Sequence, residues 1–184
     1  MKATQQLKDE HEGVKVMLDI IERVSKQLEE TGNLNKEHFE AILGFLKIFV
    51  DKCHHGKEEE LLFPALEVAG VPKDGPIRVM LQEHDLGRKY VRAMSDAFAG
   101  LIVGEKSASR NIAQNAEGYI TLLRAHIEKE NNVLFAMGDR LLSEKTQDEL
   151  YDGFEKIEVE RIGIGKHEEF HHLLEDLSGI YLNQ

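Results

Sequence analysis

Val50-Asp51-Lys52-Cys53-His54-His55-Gly56-Lys57-Glu58-Glu59-Glu60-Leu61-Leu62-Phe63-Pro64 places ionisable side chains where a buried helix face should carry apolar ones. His54 follows Val50 by four residues, Glu58 follows His54 by four, and Leu61 follows Glu58 by three. Residues so spaced share one face of an α-helix, so His54 and Glu58 sit on an apolar stripe. A carboxylate withdrawn from water without a partner is costly; it protonates, pairs or binds a metal.

The same helical period runs through most of the chain. Leu7, Val14, Met17, Ile21, Val24 and Leu28 form a first stripe, ending at Gly32, a left-handed C-terminal cap. Asn35 caps a second helix, with Phe39, Ile42, Leu43, Leu46 and Val50 on its stripe and a kink expected at Pro64. A third starts at Pro76 and closes at Gly104. A fourth starts at Ser107 and carries Ile112, Tyr119, Ile120, Leu123, Val133, Leu134, Met137 and Leu141. A capping box at Thr146 and Glu149 opens a weaker segment, and Gly163-Ile164-Gly165 precedes a last short helix. No strand-like alternation competes. The fold expected is all-α: an up-and-down antiparallel four-helix bundle over residues 1–142, with a C-terminal helical extension, 143–184, packing on it.

Composition narrows the function. With 34 acidic and 23 basic residues, the 184-residue chain carries a formal charge of −11. That argues against nucleic acid and anionic membranes as partners, since both reward a basic surface. No apolar run reaches the roughly 20 residues that span a bilayer. The polar N-terminus does not read as a signal peptide and the single cysteine, Cys53, excludes an internal disulfide, so a cytoplasmic location is expected. Nine histidines and no tryptophan are the anomaly.

Six polar residues interrupt the stripes: His11, His54, Glu58, His84, His126 and Glu130. The His-x-x-x-Glu spacing is weak by itself, because it also occurs at His55/Glu59 and His171/Glu175. Height in the bundle is stronger. Positions equidistant from a turn lie side by side in an antiparallel hairpin. The midpoints of His11/His54, Glu58/His84 and His84/His126 fall at the first, second and third turns, so all six share one level. An internal repeat agrees: Leu7-Lys8-Asp9-Glu10-His11 is echoed by Leu81-Gln82-Glu83-His84, and His54, Glu58 and Phe63 by His126, Glu130 and Phe135. Nitrogen and oxygen ligands from two similar halves suit two carboxylate-bridged ions of iron, manganese or zinc.

The order His, His-x-x-x-Glu, His, His-x-x-x-Glu on four successive helices resembles the hemerythrin family, in its hemerythrin-like (HHE cation-binding) branch. The phrases 53–64 and His126-Ile127-Glu128-Lys129-Glu130 resemble its second- and fourth-helix motifs, and the likeness covers roughly residues 4–142. It implies two non-haem iron ions, oxo- or hydroxo-bridged, held by His11, His54, Glu58, His84, His126 and Glu130, with the two glutamates bridging. It implies a small diatomic ligand or peroxide, with dioxygen binding, sensing or detoxification as the activity. Oxygen carriers place two histidines four apart on the third helix, whereas Met80 and Arg88 flank His84 here. Their fourth-helix carboxylate is an aspartate five residues after its histidine, where this chain has Glu130 four after His126. Both differences put a carrier role in doubt.

His167 and His171 share a face of the last helix and are expected to supply a fifth histidine or to support the ligands. The same letters match H-E-x-x-H, in which His167 and His171 would bind zinc and Glu168 act as base. His55 and Glu59, rotated about 100° from His54 and Glu58, are expected to face an adjacent helix or solvent. Leu61, Leu62, Leu123 and Val133 are expected to wall the site. With no second cysteine and no glycine-rich dinucleotide loop, electrons for turnover would come from an external redox partner. The alternative is an iron-sensing or iron-storing module without turnover.

Overall fold

A computed structural model describes residues 2–183. They form six helices and, among the described residues, no strand. α1 is Ala3–Thr31. α2 runs over 36–68, beginning as the α-helix Lys36–Phe45, widening into π turns at Leu46–His55 and Glu58–Leu62, and finishing as Phe63–Val68. α3 is Arg78–Ile102. α4 runs over 108–141 with a π turn at Glu130–Leu134. α5 covers 144–162, and α6 is Lys166–Tyr181.

Several ends follow from local chemistry. Gly32 takes φ 71° and its N–H donates to the Leu28 carbonyl, which closes α1. The Asn35 side chain accepts from the His38 N–H at the start of α2. Asp74 and Gly75 ahead of Pro76 have non-helical angles, so the chain turns helical at Pro76, as the sequence reading expects, and runs on into Arg78–Ile102. Other ends differ from that reading. Ser107 makes no capping bond. α5 is capped by Ser143, whose hydroxyl accepts from the Thr146 N–H, so Thr146 is already inside the helix.

α3 and α4 pack along each other, α1 packs on α4, and both α5 and α6 lean on α1. The apolar interior falls into two clusters. One holds Val14, Val50, Val91 and Leu123; the other holds Leu7, Leu62, Met80 and Leu134. On every one of the first four helices, a polar residue of the expected set lies between a member of each cluster. His11 lies between Leu7 and Val14, for example. The centre is therefore a polar layer sealed above and below by hydrocarbon. The π turn in α4 sets part of that seal. A widened turn absorbs an extra residue and shifts the face beyond it, so Leu134 turns inward at 1% exposure and Val133 outward at 49%. Val133 is thus not a wall of the site.

Candidate metal centre

His11, His54, Glu58, His84, His126 and Glu130 are each 2% exposed or less, and the structure brings them together. Ligand-type atoms of His11, His54, Glu58 and Glu130 lie within 4.8 Å of one another, and so do those of His55, Glu58, His84 and His126. Glu58 belongs to both groups. Its two oxygens stand 3.5 Å from His54 Nε2 and 3.4 Å from His84 Nε2. One Glu130 oxygen stands 3.3 Å from His11 Nε2 and 3.2 Å from His126 Nε2. All four carboxylate oxygens are buried and make no hydrogen bond of good geometry among the described residues.

The far nitrogen of each imidazole is committed. His54 Nδ1 donates to Glu10 at 2.7 Å, His126 Nδ1 to Glu83 at 2.9 Å, His84 Nδ1 to Glu59 at 2.7 Å, and His11 Nδ1 to the Asn131 side-chain oxygen at 2.8 Å. With the proton held on Nδ1, each Nε2 turns a lone pair inward. These lone pairs face each other in two couples, His11/His54 at 2.9 Å and His84/His126 at 3.1 Å. Two facing lone pairs repel unless a proton or a cation sits between them. Two imidazoles at right angles on one ion, each about 2.1 Å from it, would have nitrogens about 3.0 Å apart. The donor set fits two ions sharing two carboxylates.

Without a cation the charges are strained. Burial, and then the neighbouring Glu130 charge, push Glu58 well above the usual carboxylate range. For Glu130 burial acts the same way but is outweighed by the His126 charge and by the imidazoles around it, which hold it down. Burial pushes His54 down to about 4. His126 rises to about 9, because Glu130 and Glu83 overcome its burial. Buried acids and bases perturbed in this way by burial and by specific charge partners make the cluster a candidate functional site.

Sequence reasoning missed the orienting residues, although the repeat contained them. Glu10 and Glu83 each precede a histidine of the set and orient the histidine of the following helix. Lys57 and Lys129 each precede a glutamate of the set and bond Glu10 and Glu83. Arg88, standing where a second third-helix histidine would be, donates to Glu59 at 2.7 Å and to Asp51 at 2.7 Å. Met80 is part of the apolar seal.

His55 and Glu59 both turn toward α3. His55 is 4% exposed with its ring against His84, so it does not face solvent. His55 is the last residue of the π turn Leu46–His55, which shifts its face inward. His167 and His171 lie outside both groups. His167 is half-buried near Glu10 and Glu158, while His171 and Glu168 are exposed. His167 and His171 line a cavity of about 300 Å³, but Glu168, the residue expected to act as base, does not line it. Cys53 is buried and its thiol is pushed up to about 12 by burial, which leaves it inert.

The chain matches the model of the hemerythrin HHE cation-binding domain over residues 2–138, and it belongs to that family. Among curated relatives it is 26% identical over 118 residues to the uncharacterized proteins Rv1995 of Mycobacterium tuberculosis and Mb2018 of Mycobacterium bovis. That alignment covers 64% of this chain and 46% of each relative, so the chain spans about half the length of the relatives it matches. Family and geometry together define a metal-binding helical module. No described helix is long and apolar enough to cross a membrane.

Proposed function

We propose that the chain is a non-haem di-iron protein whose centre binds or reacts with dioxygen, nitric oxide or peroxide, in sensing, detoxification or redox chemistry. His11 and His54 would hold one ion, His84 and His126 the other, and Glu58 and Glu130 would bridge them. The observation that carries this reading is the pair of facing Nε2 couples whose opposite nitrogens are all engaged. Iron bound there would supply electrons and a Lewis acid to a small ligand. The chain's own part is to fix geometry and exclude water. Glu10, Glu59, Glu83 and Asn131 keep the protons on Nδ1, and Leu62, Phe63, Leu123 and Phe135 seal the layer. The Phe135 ring stacks on His11 at 5.5 Å and the Phe63 ring on His84 at 5.9 Å, one in each half.

In this reading residues 1–142 are an up-and-down four-helix bundle carrying the centre, and 143–184 is an extension covering one side. The protein works in the cytoplasm and draws electrons from a partner protein. Zinc or manganese suits the same donors, so metal identity is the first test. Protein purified without air is analysed for metal, and its absorption is recorded before and after oxygen. About two irons per chain, with new near-ultraviolet and visible bands on oxidation, is the expected result. Zinc alone from iron-replete cells, or no metal at all, overturns the reading. Two irons without any rapid response to oxygen, nitric oxide or peroxide would leave an iron-sensing or iron-storing module.

A further inference from the structure

The centre is built twice, and the repeat is not exact. Matching His54 to His126 and Glu58 to Glu130 pairs Lys57 with Lys129, Glu59 with Asn131, and His55 with Ile127. Ile127 is 1% exposed and packs in the apolar core. His55 is just as enclosed, yet its Nδ1 makes no hydrogen bond among the described residues; the nearest carboxylate, Asp51, stands 3.6 Å away. A buried imidazole with an unsatisfied nitrogen destabilises a core that its counterpart fills with hydrocarbon. Packing therefore does not account for it.

Nor is the ring oriented as a ligand. His55 lies flat on His84, with centroids 3.8 Å apart and planes inclined by 14°. Imidazoles that share an ion converge through in-plane lone pairs, as His84 and His126 do with planes at 66°. Parallel stacked rings cannot converge in that way. His55 thus stands beside the Glu58, His84 and His126 group, within 4.8 Å of a ligand-type atom of each, without aiming at the same point.

A cavity of about 380 Å³ explains what it faces. The space lies between α2, α3 and α4 and is lined by Val50, Gly87, Val91 and Tyr119, with Asp51 and Arg88 at its polar side. Of the four residues in the group, His55 alone lines it. On the opposite side a cavity of about 300 Å³ ends on Glu10, whose carboxylate is already held by His54 and Lys57.

We propose that the α2–α3–α4 cavity is the approach of the small ligand to the centre, and that His55 meets it there, donating a hydrogen bond to a ligand held on the His84/His126 side. The proposal rests on the metal-centre reading above. The centre works from one side, and the His11/His54 side is closed.

The test titrates the iron-loaded full chain with azide, a small linear anion, following absorption and measuring iron in the same samples. Wild type should bind azide saturably. His55→Ala should keep its iron and bind azide about tenfold or more weakly, and His55→Gln, which retains a donor, should recover part of that loss. Unchanged azide affinity in an iron-replete His55→Ala overturns the proposal. Loss of iron in both variants also overturns it, by making His55 a ligand. An iron-loaded wild type blind to azide fails at the underlying reading instead, since the centre then has no open position.

Discussion

Lys57 and Lys129 hold the same place in the repeat: each precedes a buried glutamate, and each bonds the glutamate that orients a histidine of the set. The Lys57 side chain is fully buried, whereas that of Lys129 is 41% exposed. The difference lies in what covers them. α5 closes over the first half, where Glu158 gives Lys57 a second carboxylate and the Phe154 ring lies 5.8 Å from its Nζ. Among the described residues no helix covers Lys129 in the same way, and its side chain stays partly in water. Burial alone would push Lys57 down, but the Glu10 charge outweighs it and holds it above the usual lysine range, while Glu10 falls to about 2. One hydrogen-bond pattern thus sits in two settings: a covered wall on the α1–α2 side and a more exposed one on the α3–α4 side. The extension of the chain sets which is which.

Removing the two lysines breaks the comparison most directly. Lys57→Met strands Glu10 and Glu158 without their cation, so the metal-free protein should lose about 3–5 kcal/mol in urea unfolding. Lys129→Met removes a half-exposed pair screened by water and should cost less than about 1 kcal/mol. Equal costs would show that the covering by α5 has no energetic weight.

A smaller effect is expected from the carboxylates. Glu10→Gln and Glu83→Gln keep an acceptor for Nδ1 but remove the charge that raises the basicity of the facing imidazole. Each should weaken metal binding by about 10- to 100-fold in chelator competition, with the greater loss at Glu10, where the low dielectric strengthens the charge. Identical losses would mean that the halves differ in stability but not in their hold on the metal.

How far the sequence disclosed this arrangement follows from the range over which each signal acts. The stripes, the Gly32 cap and the Asn35 cap depend on neighbours within a few residues, and they are legible. The six polar intruders are legible because local spacing and turn positions together fix a common height. The π turns are not, because no residue type requires them; Val133 was misread through them, and of the two settings expected for His55 the structure takes the adjacent helix. Glu10 and Glu83 stood in the repeat, but their bonds to His54 and His126 cross 44 and 43 residues, and nothing in a local pattern assigns a role over that distance. Lys57 is least legible of all. Lysine is seldom buried, and its burial here depends on Glu158, a hundred residues downstream.

One asymmetry remains inside the repeat itself. His84 is oriented by Glu59, a carboxylate held by Arg88, whereas His11 is oriented by the neutral amide of Asn131 at the corresponding position. Asn131→Asp makes the halves alike with no change of shape. The side chain is half-buried, so the new charge remains partly hydrated, and the 2.8 Å contact to His11 becomes charge-assisted. A hydrogen bond to a charged group exceeds a neutral one by about 1 kcal/mol, which corresponds to metal held roughly fivefold more tightly in chelator competition. The closeness of Glu130 sets a second term: in the metal-free protein the added carboxylate repels it, and the loaded centre neutralises that repulsion. Both terms act in the same direction, because destabilising the empty centre also favours loading. An affinity unchanged by Asn131→Asp would mean that orientation of the imidazole, which the amide already provides, is all that this position contributes.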